Sequence, residues 1–450
     1  MKGKLSRIVF TLLLVIVVAA AGVLVRLNER EPPRIELGTP IEFLAISQTI
    51  PFTVRDDKSG VRSVTVTVEQ DGRRYTILDR SWPRQGYFSH GGANQLSESV
   101  VIDSQKLGLH DGRADLVITA RDFSFWNFLA GNTTTFSRPV IVDTTRPKLR
   151  LLDAPRSMAA GGTSIVRYRV NEPVTAHGAV LNGHFYPGVP VRADDDLTLV
   201  AMLALPHDAQ TIDEIYLTAT DRAGNTVQVP FSMHLRVRRP RYDRITVSDR
   251  FLERKLPEFA GVLELPAGTP LEQYLYLNRE ERQANNDKIR ALASTVTRKR
   301  YWDGPMKRLP RSSRRAGFAD HRSYFYGGRK IDNQVHLGID LASVRNAPVP
   351  AAAAGTVVFA DYLGIYGNMV IIDHGWGVFS LYSHLSRIDV AEGDTIGRGD
   401  ILGRTGNTGM AGGDHLHFSV LVNGIFVDPV EWWDPRWLRL NILQYLEPSK

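Results

Sequence analysis

The first apolar pattern runs from Ile8 to Val25, eighteen residues broken only by Thr11 and Gly22. It is apolar on every side, which predicts a helix in lipid rather than an amphipathic surface helix. As a helix it would measure about 27 Å, against roughly 30 Å for a bilayer's hydrocarbon core. Lys2, Lys4 and Arg7 precede it, so the positive-inside bias puts the N-terminus in the cytoplasm and the bulk outside. The rival is a cleaved signal peptide ending near Ala19-Ala20-Ala21. The apolar run continues past that point, so residues 1–30 are read as a cytoplasmic stub and a single-pass anchor in the cell membrane. Both readings export the rest to the periplasm or cell-wall side.

After Pro32-Pro33 the pattern changes to period two. Val64, Val66 and Val68 alternate with Thr65 and Thr67, and Asp71-Gly72 leads into Tyr75-Thr76-Ile77-Leu78. Alternation around Asp-Gly predicts a β-hairpin, because Gly takes the positive φ of the tight turn. A weak repeat follows. Ile118-Thr119-Ala120-Arg121-Asp122 precedes Gly131-Asn132-Thr133, and Leu217-Thr218-Ala219-Thr220-Asp221 precedes Gly224-Asn225-Thr226. The offset of about 99 residues is near the length of one immunoglobulin-like sandwich. These segments resemble bacterial immunoglobulin-like modules, which predicts two Ig-like β-sandwiches, residues 33–143 and 146–238. His90, His110, His177, His184, His207 and His234 are scattered through them without ligand-like spacing and are read as structural or surface residues.

Residues 240–316 read as a helical connector with a basic segment. Thr269-Pro270-Leu271-Glu272 is a capping box with Pro at the first helical position. Leu271, Tyr274, Leu275, Ile289 and Leu292 continue a helix to about Ser294, and its polar middle, Arg279 to Lys288, suggests exposure. From Arg298 to Arg322 there are nine basic and two acidic residues, which matches the whole chain's net charge of +7. That excess predicts a solvated linker or contact with an anionic wall polymer. Nucleic acid is not expected, since an exported segment without a nucleic-acid motif gives no reason for it.

The chain has no cysteine, so a disulfide framework, a thiol nucleophile and Cys-ligated metals are excluded. Six of its twelve histidines lie between His321 and His417. Three clusters stand out: His336-Leu337-Gly338-Ile339-Asp340, Leu381-Tyr382-Ser383-His384 and Asp414-His415-Leu416-His417-Phe418. In the third, Leu416, Phe418, Val420 and Val422 share one face of a strand and His415, His417 and Ser419 the other. In the second, Ser380, Tyr382 and His384 are expected on one face opposite Phe379 and Leu381. A catalytic zinc takes three protein ligands and keeps an open position. Two imidazoles and a carboxylate suit it, and His336, Asp340 and one of the two strand histidines fit. The remaining strand histidine and His384 are then available for proton transfer or oxyanion stabilisation.

Residues Gly317 to Asp434 resemble the M23 (LytM/lysostaphin-type) zinc metallopeptidase domain. The resemblance rests on His336-x-x-x-Asp340, on Tyr382-Ser383-His384, and on a Gly-rich loop from Gly403 into His415-Leu416-His417-Phe418. It implies one Zn2+ per chain, held by His336, Asp340 and His417, with His384 and His415 catalytic. It also implies an antiparallel β-sheet core with a groove over residues 317–436, followed by a short tail, 437–450. The implied activity is zinc metalloendopeptidase cleavage of peptidoglycan peptide cross-links. The alternative is an inactive domain that binds peptidoglycan and recruits other wall hydrolases. The segment Arg322 to Gly328 and the loop Gly409 to Asp414 depart from the family pattern and are expected near the substrate groove.

Three other features are set aside. Gly406 to Gly413 lacks the Lys-Ser/Thr of a phosphate loop. Arg398-Gly399-Asp400 reads as a turn. His321 and His374 match no hallmark and are expected at the surface.

Overall fold

The protein is described from a computed structural model covering residues 2–86 and 91–446. His90 and the side chains of Lys2, Lys4 and Arg26 lie outside the described residues. The chain is mainly β. It opens with one helix, Lys2–Leu27, whose segment Arg7–Val25 has a mean hydropathy of 3.1 and no buried residues. By length and composition this helix can cross a membrane, a profile it shares with signal sequences.

Packing divides the chain into two units, residues 1–147 with 220–226, and residues 148–219 with 227–450. In the first, a three-stranded sheet (Arg34–Leu37, Ser47–Arg55, Gln95–Asp103) and a five-stranded sheet share one core. Ile50, Phe52 and Val54 come from one sheet and Val64, Val66, Leu116 and Ile118 from the other. The Asp71-Gly72 turn joins Val61–Gln70 to Arg73–Ser81, where the period-two pattern predicted a hairpin. The repeated Asp and Asn residues close turns. Asp122 Oδ1 accepts the Asn132 N–H at 2.7 Å, and Asp221 Oδ1 accepts the Asn225 N–H at 2.9 Å.

The second unit begins with a seven-stranded sheet. Its strand His184–Arg192 pairs first with Ala176–Leu181 and then with Asp195–Ala204. Its core is continuous with that of the C-terminal sheet: Tyr168, Val200 and Met202 belong to the same cluster as Phe418, Val420 and Trp432. Asn423 Nδ2 donates to the Met202 carbonyl at 2.9 Å, and Glu431 accepts the Thr163 N–H at 2.9 Å.

The C-terminal sheet has eight strands, all in antiparallel pairs, with Ile339–Ala342, Leu416–Val422 and Val378–Leu385 adjacent near its middle. Both faces are covered. Leu416, Phe418 and Val420 pack on one side, while Met369, Ile371, Phe379 and Leu421 pack with helix residues Ile289 and Ala293 on the other.

Three expectations are corrected here. The segment from Arg298 is not a free solvated linker, because Trp302, Met306 and Leu309 anchor it in the main core. The polar middle of the predicted helix is not simply exposed. The helix runs Pro270–Tyr276, passes through a π-helical turn at Leu277–Glu281 and continues as Arg282–Leu292. Asn278, Asn285 and Asn286 are buried on it, with amides that satisfy polar groups such as the Ile365 N–H, 2.9 Å from Asn285 Oδ1. His374 is fully buried rather than at the surface, because Ser380 Oγ (2.6 Å) and the Ala354 carbonyl (2.7 Å) satisfy both its ring nitrogens.

Candidate metal centre

Strand register brings the candidate residues together. Asp340 lies directly opposite His417 in the pairing of Ile339–Ala342 with Leu416–Val422, so their side chains leave the sheet on the same side. His336 precedes that first strand, and its N–H is fixed by the Asp320 carbonyl at 3.0 Å. Gly338 lets this segment pass close over His417. A Cβ there would stand 2.5 Å from both His417 Nε2 and Ser419 Oγ.

Three atoms converge. His336 Nε2 is 2.9 Å from His417 Nδ1, and each of these nitrogens is 3.0 Å from Asp340 Oδ1. The outer ring nitrogens settle the tautomers. His336 Nδ1 is 2.8 Å from the Gly317 carbonyl, which can only accept, so Nδ1 carries the proton. Ser419 Oγ donates its own proton to the Leu337 carbonyl at 2.8 Å and so accepts from His417 Nε2 at 3.1 Å. Both inner nitrogens are therefore lone pairs, turned toward each other and toward a carboxylate oxygen. Such a set repels itself unless a cation lies among the three atoms. A tetrahedral zinc with bonds of about 2.0–2.1 Å separates its donors by roughly 3.3–3.4 Å, close to the spacing found. The donor set fits the metal, and burial holds His417 down at about 4, in its neutral, ligating form, against the opposing pull of Asp340.

His384 and His415 flank this triad. Their ring centroids are 4.9 Å apart, and that of His384 is 5.8 Å from that of His417. His384 Nδ1 donates to the Thr408 carbonyl at 2.9 Å and His415 Nδ1 to the Gly413 carbonyl at 2.8 Å. In each ring Nε2 is thus the nitrogen turned to the site, and that of His415 stands 3.6 Å from Asp340 Oδ1. Burial and then the charge of His415 hold His384 well below the ordinary imidazole range. Simple alternation does not account for His384. Tyr382 lies on the opposite side of the sheet, with its ring 5.3 Å from that of Phe418, and continued alternation would send His384 there too. The backbone at His384 is left-handed, with φ of 63°, and this turns the ring back toward the triad. The expected shared face of Ser380, Tyr382 and His384 is therefore corrected.

Residues 334–429 match the model of peptidase family M23. This segment is an M23 peptidase domain. It is 44% identical over 97 residues to the DD-carboxypeptidase/endopeptidase Mpg of Neisseria meningitidis, a match covering 22% of each chain. It is 39% identical over 89 residues to the peptidoglycan DD-endopeptidase ShyA of Vibrio cholerae, covering 20% of this chain and 21% of that one. The chain thus spans about a fifth of the length of these curated relatives. Among solved structures, it is similar to the catalytic domain of lysostaphin from Staphylococcus simulans, at 28% identity and a TM-score of 0.25, covering 29% of this chain and 98% of that one.

Several residues around the His336, Asp340 and His417 cluster escaped the sequence reading. Arg322, counted there among solvated basic residues, is largely shielded, its side chain 17% exposed, and donates to Asp340 Oδ2 at 2.8 Å. A helix unremarked in the sequence, Asp249–Ala260, braces the Gly-rich loop. Lys255, 3% exposed, bonds Glu258 and the Asn407 carbonyl, while Glu258 accepts the Gly409 N–H at 2.6 Å. A cavity of about 330 Å³ lies between this helix and the triad, walled by Val247, Phe251, Tyr274 and Met410. No sequence spacing signals these partners, because each comes from a distant element.

Proposed function

We propose that the chain is an exported zinc metalloendopeptidase that hydrolyses peptide cross-links of peptidoglycan, with the M23 domain as its catalytic part. The observation that carries the reading is the meeting of three lone-pair atoms, His336 Nε2, His417 Nδ1 and Asp340 Oδ1, beside two further histidines. The substrate class is supported by the relatives whose names state peptidoglycan endopeptidase activity. The N-terminal helix supports membrane anchorage, and the two N-terminal β-modules would then space the domain from the membrane.

In this reading His336, Asp340 and His417 hold the metal, and Arg322 holds Asp340 by its second oxygen. A bound zinc would act as a Lewis acid, polarising the scissile carbonyl and lowering the pKa of water. His384 and His415 each present Nε2 to the cavity. His384, neutral with its proton on Nδ1, takes the proton of the attacking water on Nε2 and returns it to the leaving amine, and His415, when protonated on both nitrogens, donates from Nε2 to the oxyanion. The apolar walls of the cavity exclude bulk water and strengthen these polar contacts.

The test uses the full chain in detergent with purified cross-linked peptidoglycan, with and without a chelator, and mass spectrometry of the released fragments. Chelator-sensitive scission of cross-links by a chain carrying one zinc is expected. Intact cross-links with stoichiometric zinc would favour the recruiting protein over the enzyme.

A further inference from the structure

One wall of the metal-site cavity carries a cation with no carboxylate partner among the described residues. Arg282 and Asn286 lie one turn apart on the helix Arg282–Leu292, and both line the cavity. The π-helical turn Leu277–Glu281 ends immediately before Arg282 and sets the register of this face. Among the described residues Arg282 bonds only its own helix, through the Asn278 carbonyl at 3.1 Å and Asn278 Oδ1 at 2.6 Å. That leaves most of its five N–H donors unused. The nearby carboxylate, Asp332, is engaged by Arg279 at 3.1 Å and by Asn278 Nδ2 at 2.7 Å. Asn286 Oδ1 accepts from the Tyr366 hydroxyl at 2.7 Å, which points its amide N–H group elsewhere. Among the described residues lining the cavity, Asp340 is the one carboxylate, and it belongs to Arg322 and the triad.

We infer that Arg282 and Asn286 form a subsite for a carboxylate borne by the substrate peptide, which makes them specificity-determining residues. A guanidinium beside an amide N–H group offers the parallel donors that a carboxylate accepts. Arg282 and Arg322, together with a bound metal, would leave the cavity electropositive, so an anionic substrate group would lower its energy there. The reach is suitable. The Tyr366 ring spans from Asn286 to within 5.6 Å of the His417 ring centroid, which places the subsite about one to three extended residues from the triad. The inference rests on the peptidase reading for its choice of a peptide ligand. The carboxylate can be terminal or on a side chain, and the test separates the two.

Three synthetic cross-linked peptides serve as probes: one with all carboxyl groups free, one with only the terminal carboxyl groups amidated, and one with only the side-chain carboxyl groups amidated. Binding is measured by calorimetry in the full-length zinc-loaded His415→Ala chain, which leaves the peptides intact. One of the two amidations should weaken binding about tenfold or more, the loss expected for a charge-assisted bidentate contact. Arg282→Gln in the same background should reduce that difference to under twofold. Arg282→Lys should retain part of it, and Asn286→Asp, which sets a negative charge beside the guanidinium, should lower it. Equal binding of all three peptides would overturn the inference. So would a zinc-replete, cooperatively unfolding Arg282→Gln chain that keeps the full preference. Cleavage by the wild-type chain is scored separately. Carboxylate-selective binding without any cleavage would sink the peptidase reading and leave the subsite standing, and cleavage without selectivity would do the reverse.

Discussion

His384 and His415 face each other with ring centroids 4.9 Å apart and planes inclined at 50°, and a left-handed backbone at His384 makes the meeting possible. A β-branched or bulky residue rarely adopts this conformation, and its cost is of the order of 1–3 kcal/mol. Both rings are fixed through Nδ1 on carbonyls of the Gly-rich loop, which leaves Nε2 as the nitrogen turned to the site in each. His384→Ala and His415→Ala should each lower turnover by about a hundredfold or more while the chain still carries one zinc. Turnover by mass spectrometry and metal content by atomic emission check this, and unchanged turnover in either variant removes that histidine from the mechanism.

Gly338 is required by closeness rather than by φ. A methyl at 2.5 Å from His417 Nε2 must displace either the imidazole or the strand segment that carries Asp340. Gly338→Ala should weaken zinc binding by about ten- to a hundredfold, the range found when a ligand's supporting partner is lost. Competition with a chromogenic chelator measures it, and wild-type affinity would show that the segment yields without moving His417.

Lys255 ties the helix Asp249–Ala260 to the loop that supports His384. Lys255→Met leaves the Asn407 carbonyl without its donor and frees Glu258, at a cost of roughly 2 kcal/mol. The amides of residues 406–414 should then exchange hydrogen faster, and turnover should fall because Thr408 no longer holds His384 as firmly. Exchange mass spectrometry reads the first effect. Unaltered protection of this loop would sink the argument.

His374 predicts a pH dependence of stability. Burial lowers it from the model-peptide value of 6.5 to about 4 in the folded chain. The unfolded chain therefore binds more protons between these values, so stability is fully present above pH 6.5 and is lost as pH falls toward 4. The loss attributable to His374 is about 3 kcal/mol. Thermal unfolding of the wild type and His374→Asn across this range should show a shallower slope in the variant, despite its lower stability at pH 7. Parallel slopes would mean that His374 does not titrate on unfolding.

Much of the site was legible in the chain because its signals are local. Period two at Leu416 to Val422 put His415, His417 and Ser419 on one face, and strands keep that alternation whatever they pair with. The apolar run at Ile8 to Val25 and the Thr269 capping box are likewise local, since they depend on side-chain chemistry within one turn or one span. The sequence by itself therefore determined the helix at the start, the strand-rich character and the five residues of the candidate site.

Tertiary structure decided the rest. The register of Asp340 against His417 is a property of two strands and is written in neither. The turn of His384 toward the triad needed a backbone conformation that alternation forbids. Arg322 and Asn286 looked like solvated polar residues because the partners that order them, Asp340 and Tyr366, lie elsewhere in the sequence, and nothing local marked Arg282 as lining a cavity. Burial of a charge depends on the partner brought to it, and only the folded chain brings Asp340 to Arg322 or Asn407 to Lys255.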